Sequence, residues 1–235
     1  MSLNATKFAN NRRKLSLTQK RVKDIMVCVV NSYKKILADG VIFNFSERGK
    51  IAQEDFLRNR LVDDYLKKEC DLKNTSTENY TIIAKDGQEE YESEIDKENH
   101  NDKIDIQIFD KSLRDSLTSN SNVYFSIECK RLKSSLKDYI GDIFKFCTRN
   151  YRKGRLPFEG QLGFVENENL AHSVITQKLN TELATHTQIK TLKPLEYIEL
   201  TNDFEASYSS MHQKSDNSSF SIFHLFLDYS KIICN

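Results

Sequence analysis

The segment KIDIQI at residues 103–108 alternates apolar and polar residues, and it decides the fold class of the chain. Its isoleucines fall on one face of an extended strand and Asp105 falls on the other, because successive side chains of a strand point to opposite faces. The segment VYFSIECK at residues 123–130 reads as a second strand after a polar connection. Two such strands between amphipathic helical segments predict an α/β domain built on a mixed sheet.

The period of the apolar residues divides the rest of the chain into helices and strands. Ser46 is the predicted N-cap of the second helix, and Asp86-Gly87 is a predicted turn. The acidic stretch that ends at Asp102 is predicted to be an exposed loop or an irregular strand. The predicted helices cover residues 22–38, 46–69, 136–151 and 169–184, and the predicted strands cover residues 80–84, 103–109, 123–129, 161–165, 204–208 and 220–228. The expected architecture is a mixed β-sheet flanked by helices, with an N-terminal helical extension and a C-terminal β-hairpin.

The composition is that of one globular domain, with 235 residues, 38% hydrophobic and 29% charged. We predict a basic N-terminal arm at residues 1–20 and a single domain at residues 21–235. No apolar run is long enough to span a bilayer and no apolar signal segment follows the first basic residues, so we expect a cytoplasmic protein. The 5 Cys are scattered without a CxxC pair, which predicts free thiols. The 5 His lack metal-binding spacing, and His224 in an apolar strand is predicted to be a hydrogen-bonded core residue.

Two carboxylates and an amine are the predicted chemical site. Glu128 and Lys130 lie two positions apart on one strand and therefore share a face, while Cys129 between them points to the opposite layer. If the strand of Asp105 is the neighbour, its carboxylate joins them. Oxygen ligands at such a place suit Mg²⁺, which activates a bound water for attack on a phosphodiester. Lys130 is then available to position or deprotonate that water and to stabilise the transition state.

A third carboxylate is expected from the helix that precedes the sheet. Glu54 is the preferred residue, and its carboxylate would contact the metal or the water ligands of the metal. Asp55 and Glu47 remain alternatives, since helical spacing alone does not choose among the three.

This arrangement resembles the PD-(D/E)XK nuclease superfamily, which has the restriction-endonuclease-like fold. The resemblance rests on Asp105 in KIDIQI, on Glu128-Cys129-Lys130 in an apolar strand, and on the helix of Glu54. The predicted elements between residues 46 and 165 also follow the αβββαβ order of that superfamily. Ile104 stands where the family motif has its proline.

The resemblance implies a role for each residue. Asp105 and Glu128 would bind Mg²⁺, for which Mn²⁺ can substitute, together with the main-chain carbonyl of Cys129. Lys130 would be the catalytic lysine and Glu54 the helical acid. The implied activity is a Mg²⁺-dependent endonuclease that cuts double-stranded DNA in restriction or another anti-phage response, as a homodimer or with a partner protein of a defence system.

A basic run follows the candidate site. It is either the solvated face of a helix or a surface that tracks a phosphate backbone, and its position beside the site favours the second interpretation. The basic N-terminal arm leaves the same two alternatives open. The residues predicted to bind nucleic acid are Lys133, Lys137, Arg149, Arg152, Lys153 and Arg155.

Two other functions remain possible from the sequence. The first is a catalytically inactive nuclease-fold module that binds nucleic acid or a partner protein. The second is an unrelated α/β interaction protein in which Glu128 and Lys130 form only a surface ion pair, which contributes little to stability.

Overall fold

The computed structural model describes residues 2–73, 81–110, 123–151 and 156–234, which form a mixed α/β structure as predicted. A 3₁₀ helix (Phe45–Arg48) and a π-helical segment (Leu61–Leu66) accompany the regular elements. The α-helices are α1 (Ser2–Ala38), α2 (Gln53–Arg60), α3 (Lys67–Lys73), α4 (Lys137–Thr148) and α5 (His172–Thr185). The strands are β1 (Phe43–Asn44), β2 (Thr81–Ser93), β3 (Asn99–Asp110), β4 (Tyr124–Leu132), β5 (Arg149–Tyr151), β6 (Phe158–Val165), β7 (Lys190–Tyr197), β8 (Ser207–Gln213), β9 (Ser219–Asp228) and β10 (Ile233–Cys234).

Eight of these strands form one mixed sheet in the order β5-β2-β3-β4-β6-β9-β8-β7. The neighbours β4, β6 and β9 run parallel, and the other pairs are antiparallel. Every residue of β6 is buried, as is typical of a parallel strand in the middle of a covered sheet. The predicted C-terminal hairpin is present as β8 and β9. The short strands β1 and β10 pair separately in parallel.

The basic N-terminal segment forms the first part of a long helix. α1 continues without a break across the predicted boundary at residue 20. No Gly or Pro occurs between residues 2 and 38, so no residue of that stretch breaks the helix. Gly40, with a φ of 64°, follows the last turn and ends the helix. Residues 12–17 are exposed, whereas one face of the helix is buried from Val22 onward.

The second predicted helix is divided into several segments. Ser46 is not its N-cap: Asn44 caps the 3₁₀ helix by accepting the Ser46 N–H, and Gly49 then turns the chain with a φ of 63°. α2 begins only at Gln53, and the π-helical segment separates it from α3. This start of α2 places Glu54 in the first turn of a helix that contacts β4.

The acidic segment up to Asp102 forms the end of β2, a turn at residues 94–96 and the start of β3, and β2 is irregular at Asp86, which has no register partner in β3. The prediction of a turn at Asp86-Gly87 is wrong. β2 runs through both residues to Ser93 and pairs with β3 over most of its length. Asp86 has a φ of 57°, and its carboxylate is held by Arg58 and Lys103. Cross-strand pairing therefore overrides the local turn signal of an Asp-Gly sequence.

The sequence gives no signal for β7, a mostly exposed edge strand that contains Pro194 and pairs irregularly with β8. A proline is tolerated there because an edge strand has one unpaired side. Across the described residues, no helix combines the length and the apolar character that crossing a membrane would require.

Candidate active site

The first turn of α2 is docked onto the end of β4 through Glu54. Its Oε2 accepts the main-chain N–H of Arg131 at 3.0 Å, and its Oε1 accepts a hydrogen bond from Lys130 Nζ at 3.1 Å. Burial raises the pKa of Glu54, although the charge of Lys130 acts in the opposite direction. Of the three helical acids, Asp55 pairs instead with Arg58, and Glu47 is exposed on the 3₁₀ helix.

Asp105 reaches from β3 to the main chain of β4. The antiparallel register of the two strands ends with the pair Ile106 and Ile127, so Asp105 lies just beyond the last pair. Its Oδ2 accepts the N–H of Cys129 at 2.8 Å, and its Oδ1 accepts a hydrogen bond from Arg58 Nη1 at 2.7 Å. The carboxylate is buried and fixed by both contacts.

Lys130 lies among these acidic groups rather than in solvent. Its side chain is 17% exposed, and its Nζ is 2.8 Å from the carbonyl oxygen of Cys129 and 4.0 Å from Asp105 Oδ2. On another side, Nζ is 3.2 Å from Oδ2 of Asp142 in α4. Burial alone lowers the pKa of an amine, but here the carboxylates of Asp142, Glu54 and Asp105 outweigh it and raise the pKa of Lys130. Lys130 is therefore not part of a simple surface ion pair.

Glu128 and Cys129 complete the predicted set. Glu128 is half-buried, lies beside Gln161 in the register of β4 and β6, and its charge also contributes to the raised pKa of Lys130. The Cys129 side chain is fully buried in the hydrophobic core, and burial raises the pKa of its thiol. What the site uses from Cys129 is its main chain: the N–H binds Asp105 and the carbonyl binds Lys130.

The predicted metal ligands already have protein partners. Arg58 and the Cys129 N–H bind the two oxygens of Asp105, and Lys130 binds the Cys129 carbonyl. A carboxylate has about four acceptor positions and a carbonyl two, so each group keeps capacity for a further contact. The oxygens are also of the kind that Mg²⁺ prefers. They therefore fit a hard divalent cation chemically, although across the described residues no cluster of three or more His, Cys, Asp or Glu side chains has metal-binding geometry.

Arg58 is a central residue of the site that the sequence reasoning missed. It is 1% exposed, and its guanidinium contacts three carboxylates, those of Asp55, Asp86 and Asp105. Burial lowers the pKa of the guanidinium, but these carboxylates, led by Asp105, raise it overall. Its sequence signal is a spacing of four from Glu54, which puts both residues on one face of a helix.

Asp142 is the second residue that was missed. It lies on the buried face of α4 together with Tyr139, Ile143 and Phe146. A charged residue at the apolar positions of an amphipathic helix is an available signal, because an acid is rarely buried without a partner.

The basic run does not act as one surface in the described part of the chain. Lys133 and Lys137 are exposed near the end of β4 and the start of α4. Arg149 is half-buried, pairs with Asp102 and lies over the ring of Tyr91 at 4.3 Å, so its guanidinium has a structural partner. Arg152, Lys153 and Arg155 lie outside the described residues.

The buried histidines form a hydrogen-bonded chain and not a metal site. Tyr139 Oη is 3.0 Å from His224 Nδ1, and Ser210 Oγ is 2.8 Å from the Nε2 atoms of both His224 and His212. The second ring nitrogen of His212 contacts Thr191. Burial lowers the pKa of both imidazoles, to about 4 for His212. The prediction that His224 is a hydrogen-bonded core residue is confirmed. The 5 cysteines all lie among the described residues, and none of them is in a disulfide.

A cleft of about 520 Å³ lies at the ends of β6 and β9, and none of Glu54, Asp105, Glu128 and Lys130 lines it. Tyr33 and Phe226 contribute aromatic walls, and Glu168, Asp203 and Asp228 give it an acidic lining. Such a lining repels phosphate groups. The candidate active site is therefore assigned to the cluster of buried charges rather than to this cleft.

Comparisons of the chain with protein-family models, with curated proteins and with solved structures give no match.

Proposed function

We propose that the chain is a Mg²⁺-dependent nuclease that hydrolyses phosphodiester bonds in DNA. The observation that carries the proposal is the position of Lys130 Nζ, 3.1 Å from Glu54 on α2 and 4.0 Å from Asp105 on β3. Glu54, Asp105 and Lys130 are distant in the chain, are predicted to act in one reaction, and lie close together in the folded protein. When α3 and the short strand β5 are left out, the order α2, β2, β3, β4, α4, β6 matches the αβββαβ succession that the resemblance to PD-(D/E)XK nucleases implies.

In this proposal Asp105, Glu128 and the Cys129 carbonyl hold the metal. When bound, Mg²⁺ supplies a water of lowered pKa and neutralises charge on the phosphate. Glu54 and Asp105 are kept in place by main-chain N–H groups of β4, which fixes their carboxylates before substrate arrives.

Lys130 supplies a fixed positive charge in this mechanism. Its ammonium is hydrogen-bonded to Glu54 and to the Cys129 carbonyl, so its position does not depend on the substrate. A preorganised cation stabilises negative charge that develops on a phosphate more effectively than a mobile one. Its raised pKa keeps the amine protonated, which favours this role over that of a general base.

DNA and the biological setting come from the resemblance. Exposed Lys133 and Lys137 offer phosphate contacts close to Lys130 in the chain. Cutting both strands with one site per chain requires two copies in a two-fold arrangement or a partner protein, and we place the reaction in restriction or another anti-phage response.

A specific contact supports a second candidate, a nuclease-fold module that binds nucleic acid without cutting it. Arg58 occupies Asp105 Oδ1 at 2.7 Å and is buried, so it competes for the carboxylate that the metal requires. If this ion pair is permanent, Asp105 is a structural residue.

A cleavage assay separates the two candidates. Purified protein is incubated with plasmid, linear DNA and RNA in Mg²⁺, Mn²⁺ or chelator, beside Lys130→Met and Asp105→Asn, with Lys193→Met on the exposed face of β7 as a matched control. We expect metal-dependent cleavage that falls at least about 100-fold in the two site variants and is unchanged in the control. DNA binding without cleavage in any metal supports the module, and cleavage that survives both site substitutions rejects the assigned site.

A further inference from the structure

We propose that Asp142 is a positioning residue for Lys130: its buried carboxylate on α4 holds the Lys130 ammonium together with the contacts from β4 and α2. The inference rests on the proposed nuclease function for its catalytic consequence. The contact itself is a property of the folded chain and can be tested separately.

The surroundings of Asp142 require a cation. The residue is 1% exposed on the apolar face of α4, where an unpaired carboxylate is strongly unfavourable. Its Oδ1 accepts a hydrogen bond from Lys145 Nζ at 2.9 Å. Its Oδ2 is buried, has no hydrogen bond among the described residues, and lies 3.2 Å from Lys130 Nζ. The second oxygen is therefore compensated by the charge of Lys130.

Lys130 in turn depends on Asp142 for a fixed position. Its ammonium ends a flexible four-carbon stem and carries three protons. Cys129 and Glu54 accept hydrogen bonds from it at 2.8 and 3.1 Å, and Asp142 adds a charge contact from α4 at 3.2 Å. Without Asp142, both remaining acceptors are on the side of β4 and α2, and the ammonium can turn away from α4.

The position of Asp142 is itself fixed by the sheet. One turn before it, the carbonyl of Tyr139 accepts a hydrogen bond from Gln161 Nε2 of β6 at 2.7 Å. Tyr139 is fully buried and its hydroxyl contacts His224 of β9. These contacts hold α4 against the sheet, so Asp142 is a rigid support for Lys130.

The kinetic test compares Asp142→Asn with Asp138→Asn, which changes an exposed aspartate one turn earlier on the same helix. We expect Asp142→Asn to lower kcat about ten-fold or more while KM changes less than about two-fold, because only the placement of a catalytic group is altered. Asp138→Asn should leave both constants within about two-fold of the unmodified chain. An unchanged kcat in Asp142→Asn, or a change in KM alone, overturns the proposal.

A double-mutant cycle in thermal unfolding tests the contact without any need for cleavage. Asp142→Asn should lower the Tm by several degrees in the unmodified chain, and by much less in the Lys130→Met background, where its partner is already gone. Equal Tm shifts in both backgrounds reject the contact. If the chain cleaves nothing but the cycle shows coupling, the proposed function fails and the positioning of Lys130 by Asp142 stands.

Discussion

Arg58 Nη1 lies 2.7 Å from Asp105 Oδ1, and this buried ion pair joins α2 to β3. The same carboxylate receives the N–H of Cys129, so one aspartate connects a helix and two strands. The positive charge of Arg58 compensates the buried carboxylate of Asp105. Arg58 also contacts Asp86, so its guanidinium links α2 to both β2 and β3.

Replacement of Arg58 by Met should lower the free energy of unfolding by about 3–5 kcal/mol, because it leaves Asp105 buried without its cation. Urea denaturation followed by far-UV circular dichroism measures the loss. Arg60→Met is the control, since Arg60 is largely exposed and pairs with Asp64 on the helix surface, and it should lose no more than about 1 kcal/mol. If both variants lose the same free energy of unfolding, the buried contacts of Arg58 stabilise the fold no more than a surface ion pair does.

Glu54→Gln should reduce cleavage by about 100-fold, because it removes a charge from the acceptor of Lys130 Nζ. Glu47→Gln changes an exposed residue and should leave the rate unaltered. Initial rates on plasmid DNA at saturating Mg²⁺ decide between them. The assignment of the helical acid is wrong if Glu47→Gln, and not Glu54→Gln, loses activity.

Gly163 and Gly141 should respond to alanine in opposite directions. A methyl group on Gly163 would lie 2.5 Å from Leu132 Cδ1 and 3.0 Å from Phe226 Cδ1, between β4 and β9. Gly163→Ala should therefore cost about 1–3 kcal/mol and, because Gly163 is the register partner of Lys130, should also lower cleavage. In α4, a methyl group on Gly141 meets nothing within 4 Å, so Gly141→Ala should stabilise by up to about 1 kcal/mol through helix propensity.

Chemical denaturation of both variants under identical conditions provides the comparison. A neutral or stabilising Gly163→Ala would mean that β4 and β9 approach β6 less closely than described. A destabilising Gly141→Ala would mean that this face of α4 is covered by another part of the molecule.

Stability should fall as the pH is lowered from about 7.5 to 5, and His212 should be one cause. Burial lowers its pKa from 6.5 to about 4 in the folded protein, so the unfolded chain takes up a proton first as the pH falls. Well above pH 6.5, His212 does not change the free energy of unfolding. At pH 5 it lowers that free energy by about 2 kcal/mol. Urea denaturation across this range should show a shallower dependence for His212→Gln.

His100→Gln is the matched control for this series, because the His100 side chain is 38% exposed and pairs with Asp96. It should retain the full pH dependence of the unmodified chain. Identical slopes for His212→Gln and the unmodified chain would exclude His212 as the source.

Much of the architecture follows from local sequence patterns. The alternation in KIDIQI gives β3, and the apolar stripe of residues 136–147 gives α4, because burial of one face is enough to select the element. The Asp-Gly sequence at residues 86–87 predicts a turn that the structure does not have, because its conformation depends on a distant strand. There the partner strand β3 supplies hydrogen bonds that outweigh the local preference for a turn, and no pattern within the segment reports on its partner.

Residues close in the chain are enough to predict the mixed α/β class, the strands of Asp105 and of Glu128-Cys129-Lys130, and the helix of Glu54. The contacts of Arg58 with Asp105 and of Asp142 with Lys130 are seen only in the folded chain. Those pairs join residues that are 47 and 12 positions apart in the chain. The period of a helix or strand predicts which residues share a face, but it does not predict which opposite charge a residue contacts. Their meeting is set by how α2 and α4 pack against the sheet, where burial makes a compensating charge necessary.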